Sequence, residues 1–133
     1  MKSTPFNPHT DLAPIPFSED ICRAARAMKD RGLQWQPHVG CFVWDQERVI
    51  EVSSPFPQNI FFILNLGHFL KRFQSLEIMT QKLVWLPTWH QARQICTTMG
   101  IADSSILEMI QGSFGADRND ELLGLYELIL NHL

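Results

Sequence analysis

The stretch from Asn59 to Phe73 limits the folds open to this chain more than any other feature. Phe62, Leu66, Phe69, Leu70 and Phe73 recur at spacings of three and four, which would set them on one face of a helix. Phe61, Ile63 and Leu64 widen that face beyond what one contact needs. A segment this apolar belongs at the centre of a core, with a homodimer seam as a second use of its surface. The spacing therefore predicts a helix over residues 59–73. Asn65, His68 and Arg72 fall together on its polar edge.

Upstream, Val39 to Trp44 and Arg48 to Ser53 are rich in β-branched and aromatic residues, with Asp45-Gln46-Glu47 between them. They predict a β-hairpin, closed by Ser54-Pro55-Phe56-Pro57 because proline cannot continue a ladder. The turn lacks an Asn-Gly or Asp-Gly pair, so a loop longer than two residues is expected. Two strands alone are marginal, so helices or a third strand must support them. In residues 75–86 a short helix after Ser75 is expected to run into Lys82-Leu83-Val84-Trp85-Leu86, which reads as an extended piece or as that third strand.

Four more helices are marked by their ends. Ser18 reads as an N-cap with Glu19 and Asp20 in the first turn, and the helix runs to about Arg31, with Gly32 as its stop. Ile21, Ala25 and Met28 form its apolar stripe. Thr88-Trp89-His90-Gln91 has the form of a capping box, followed by the stripe Trp89, Ala92, Cys96 and Met99 and by Gly100. Asp103 is expected to cap a helix ending at Gly112, and Asp117 or Asp120 to open the last one, where Leu122, Tyr126, Ile129 and Leu133 align. The prolines at 5, 8, 14 and 16 make residues 1–17 an extended arm. The fold class expected is α+β: residues 18–133 form a small helix-rich single globular domain. In it a β-hairpin, with room for a third strand, packs on about four to five helices.

The chain has 133 residues, enough for one main core, and its apolar fraction of 45% is that of a globular protein. Nine phenylalanines and four tryptophans stand against one tyrosine, so the aromatic area suits a core or a partner surface better than a polar cleft. Net charge is −3, which argues against broad electrostatic binding of nucleic acid. Residues 103–133 hold six acids against Arg118 alone, whereas residues 1–102 hold ten bases against eight acids. That polarity could match a partner's surface, although acids commonly form a solvated outer face. Three widely spaced cysteines and a first segment without a continuous apolar stretch predict free thiols, no secretory leader and a soluble cytoplasmic protein. No stretch is apolar enough for a membrane span, since Asn65, Gly67 and His68 interrupt the run from Ile60 to Leu70.

Known chemical signatures are missing. The glycines occur singly, so no loop of the P-loop or dinucleotide type is present, and no cofactor is expected. His38 and Cys41 have a workable zinc spacing, but a structural site needs four ligands and no second pair lies nearby, so no metal is expected. Cys22 and Cys96 sit on or beside apolar stripes, and Cys41 shares a strand face with Val39 and Val43, which reads as packing. Arg23, Arg26 and Lys29 make only a modest basic edge.

The leading expectation is a non-catalytic accessory or protein-interaction protein that self-associates, its partner being a second copy in a homodimer or else another protein. Trp35, Trp44, Phe61 and Leu64 are its candidate interface residues. The rival is a small enzyme or ligand-binding domain with a pocket between the hairpin and the 59–73 helix. There His38, Cys41, Glu51, Asn65, His68 and Arg72 are the candidates, and no catalytic residue is assigned. A weak nucleic-acid-associated regulator is the third reading, and it requires the arginines near Arg23 to form a continuous positive stripe.

Overall fold

The computed structural model describes residues 9–12, 15–50, 52, 54, 56–113 and 118–133. Among them are six α-helices and three short strands, in the order α1 (Glu19–Asp30), β1 (Phe42–Trp44), β2 (Ile60–Phe62), α2 (Leu66–Phe73), α3 (Leu76–Lys82), β3 (Val84–Leu86), α4 (Trp89–Thr98), α5 (Asp103–Ser113) and α6 (Arg118–His132). The architecture is α+β, a three-stranded antiparallel sheet covered by helices. β1 is the central strand, with β2 on one side and β3 on the other.

The sheet separates two apolar cores. Side chains alternate along a strand, so each strand supplies both. Ile60, Val84 and Leu86 point into the larger core, built with Ile21, Ala25 and Met28 of α1, Ala92 and Cys96 of α4, and Leu122, Leu125, Tyr126 and Ile129 of α6. Val43 and Phe61 point the other way, into a smaller core with Cys41, Ile63, Phe73, Met79 and Leu83, flanked by Leu66, Phe69 and Trp85. A sheet covered on both faces needs strands that are apolar throughout. Phe-Val-Trp, Ile-Phe-Phe and Val-Trp-Leu meet that need.

The same requirement explains where the pairing departs from expectation. The partner of β1 is Ile60–Phe62, in register Phe42↔Phe62 and Trp44↔Ile60, rather than the 48–53 segment. Residues 59–65 are thus not the first turns of a helix, and α2 begins only at Leu66, where Asn65 accepts a hydrogen bond from the His68 amide at 3.3 Å. A short run that is apolar on both sides carries no period to tell strand from helix. The third strand is present as β3, directly after α3, and Ser75 caps α3 by accepting from the Ile78 amide at 3.2 Å.

The ends of α1 and α4 follow their signals. Ser18 accepts from the Ile21 amide, and Thr88 and Gln91 form a reciprocal capping box with bonds of 3.2 and 2.9 Å. α1 and α4 both finish in a Schellman motif at Gly32 (φ +98°) and Gly100 (φ +77°), closed by Leu33 N–H to Met28 C=O and Ile101 N–H to Cys96 C=O. Asp103 is the first residue of α5 rather than its cap, since the Ile106 amide bonds back to Ala102 C=O, and α5 continues past Gly112 to Ser113. α6 is already helical at Arg118, so Asp120 lies inside it, and Asp117 is outside the described residues. So are residues 1–8 of the arm, while Phe17 at its end is buried in the larger core.

Long-range hydrogen bonds tie the layers together. Lys29 Nζ on α1 donates to the carbonyls of Gln81 and Leu83 at the end of α3, at 2.6 and 3.1 Å. Arg31 Nη1 donates to Leu130 C=O near the end of α6 at 2.8 Å. Tyr126, fully buried, donates its hydroxyl hydrogen to Pro87 C=O.

Candidate functional site

The long connection from β1 to β2 builds one wall of a groove, and a buried carboxylate holds it in shape. Asp45, between the two segments expected to form a hairpin, is fully buried. Its carboxylate accepts hydrogen bonds from the amides of Val49 and Ile50 at 2.9 and 2.8 Å, and Asn59 Nδ2 donates to its carbonyl at 2.9 Å. The backbone turns back through left-handed conformations at Arg48 (φ +55°), Gln58 (φ +62°) and Asn59 (φ +62°). Ser54 fastens the other end, donating to Ile60 C=O and accepting from the Phe56 amide.

Between this connection and α2 lies an open cavity of about 400 Å³. Ile50, Val52 and Phe56 line it from the connection, Phe61 and Phe62 from edge strand β2, and Phe69 from α2. Phe61 meets Phe69 edge to face, with ring centroids 6.5 Å apart. Leu64, 75% exposed, and Val52, 53% exposed, stand at the rim. The polar lining comes from His68 and Arg72, one helical turn apart on α2. Among the described residues neither takes part in an ion pair.

The candidates drawn from sequence divide into groups. His68, Arg72, Phe61 and Leu64 come together at the groove. Asn65 sits one turn before His68 and serves as the α2 cap. Glu51 lies outside the described residues. His38 is elsewhere, in a second, more polar cleft of about 680 Å³ shared with Trp85, His90, Gln91 and Gln94. Its Nδ1 lies 2.8 Å from Val39 C=O. Cys41 is fully buried in the smaller core. Trp35 is half-buried and stacks on Trp85 with centroids 5.9 Å apart, and Trp44 is half-buried against the larger core. Sequence reasoning missed Val52, Phe56 and Phe62 as groove residues, because it placed the first in a strand, the second in a stop signal and the third on a helix.

The thiols are set against nucleophilic work. Burial pushes the Cys22 thiol up from 9.0 to about 12, with Glu19 adding to the shift. Burial also raises Cys41, opposed by hydrogen bonds from the His38 backbone and the Gln91 side chain, and raises Cys96 against the pull of Arg93. All three stay protonated near neutral pH, and the thiolate is the reactive form. Among the described residues, no group of three or more His, Cys, Asp or Glu side chains is placed to hold a metal ion, and no helix is long and apolar enough to cross a membrane.

The basic edge of α1 is engaged within the fold. Arg23 pairs with Glu19 and Asp20, Arg26 with Asp30 at 3.1 Å, and Lys29 with the α3 carbonyls. Burial, followed by the Arg26 charge, lowers the Lys29 pKa from its ordinary value. Comparison with protein-family models, curated proteins and solved structures gives no match to this chain in any of the three.

Proposed function

We propose that this protein acts by binding, not by making or breaking bonds, and that its working surface is the groove between the β1–β2 connection and α2. The observation that carries the reading is an apolar cavity of about 400 Å³ whose rim residues, Leu64 and Val52, remain largely exposed. Cavities of this size and lining suit an apolar group of a ligand or partner. The protonated, buried thiols support a non-catalytic role.

A neutral fluorescent probe such as N-phenyl-1-naphthylamine tests this. Its emission should rise on mixing with the native protein. Val52→Asp should weaken binding by about tenfold or more, since a charge at the rim must lose water when the groove fills. Absence of any rise, or an affinity indifferent to Val52→Asp, would sink the proposal.

Self-association through the same face is the second reading. It is favoured by the position of β2 at an edge of the sheet, with Phe62 and Leu64 exposed beside it. Sedimentation velocity of wild type and Leu64→Arg separates it: a dimer that dissociates in the variant supports it, and a monomer at all concentrations rejects it.

A further inference from the structure

The groove is lined by apolar side chains apart from His68 and Arg72, and that contrast narrows what it takes. α2 reads Leu-Gly-His-Phe-Leu-Lys-Arg-Phe and contains no acid, so Lys71 and Arg72 give it one sign of charge. His68 and Arg72 line the cavity, and no acidic residue is among its described lining. Phe69 lies between them in sequence and lines the cavity, so a ligand resting on Phe69 has the Arg72 guanidinium and the His68 imidazole within one helical turn. A guanidinium offers paired N–H donors that match the two oxygens of a carboxylate.

We infer that the groove is a site for an amphipathic carboxylate, with its apolar body against Phe61 and Phe69 and its head group at Arg72, His68 beside it. The inference rests on the binding reading above and adds the ligand class. The volume of about 400 Å³ falls in the small-molecule range and favours a medium-length acyl or aryl carboxylate over a folded partner. Arg72 is exposed, so its contribution is selectivity more than bulk affinity.

The test is displacement of N-phenyl-1-naphthylamine by decanoate and by decanol, each below its aggregation limit, from wild type, Arg72→Gln and Arg72→Lys. Wild type should prefer decanoate by about tenfold, Arg72→Gln should lose that preference while keeping its affinity for decanol, and Arg72→Lys should keep part of it. Equal displacement by the two from wild type would overturn the carboxylate assignment and leave the binding groove standing. Failure of the probe itself to bind would remove the groove reading and this inference together. An acidic peptide that displaces the probe at concentrations where decanoate does not would also overturn the assignment.

Discussion

The two faces of one small sheet are covered to different extents. On one face, α1, α4 and α6 close over Ile60, Val84 and Leu86, and Tyr126, Leu125 and Ile129 are fully buried against them. On the other, among the described residues, the short α2 and α3 lie over the sheet with Trp35 beside them, and the β1–β2 connection extends the cover without sealing it. α6 spans fifteen residues and α2 eight, so the first side can bury a continuous stripe and the second cannot. The strands alone therefore do not decide whether a face is sealed or keeps an open groove. The length of the helices laid over it does.

Substitutions on the two sides should therefore behave differently. Ile129→Ala, in the larger core, should cost about 3–4 kcal/mol in denaturant unfolding, with no effect on where the probe binds. Asp45→Ala should cost about 2–3 kcal/mol, because the Val49 and Ile50 amides lose their acceptor. Since Asp45 also shapes the groove wall, this variant should lose probe affinity at temperatures where it remains folded. An unchanged affinity would show that the wall does not depend on the carboxylate. Tyr126→Phe removes the bond to Pro87 C=O and should cost about 1 kcal/mol, measured in the same way.

The larger core should also show in alkaline titration. Cys22 is raised from 9.0 to about 12 in the folded state, so above pH 9 the unfolded chain releases a proton that the native state keeps. Stability is then fully present below pH 9 and declines as pH rises towards 12; Cys22→Ala should flatten part of that decline. The smallest effect is expected at the groove rim, where Leu64→Ser should change unfolding stability by no more than about 0.5 kcal/mol. A loss of several kcal/mol there would mean that the second face is closed core.

Much of the larger core was legible from sequence, because its helices are long enough to carry a period and have caps at their ends. Ser18, Gly32, Thr88, Gln91 and Gly100 all act where their chemistry suggests. The groove side was harder to read. Ile60-Phe61-Phe62 is apolar on both faces and has no period, and Leu66 to Phe73 continues it with helical spacing, so the two merged into one expected helix. His68, Arg72, Phe61 and Leu64 could still be named, because a helical face and an apolar surplus single them out. Val52, Phe56 and the buried state of Asp45 were not legible, since they depend on a fifteen-residue connection, residues 45–59, folding back on itself. That return rests on bonds from Asp45, Asn59 and Ser54 to backbone groups distant in sequence.

The contrast between the two faces is tested most directly by methyl chemical-shift mapping, with Ile, Leu and Val methyls labelled and decanoate titrated in. The account predicts shifts at Ile50, Val52 and Leu64, with Leu125 and Ile129 unmoved. Shifts centred on Leu125 and Ile129, or none at any of these methyls, would contradict it.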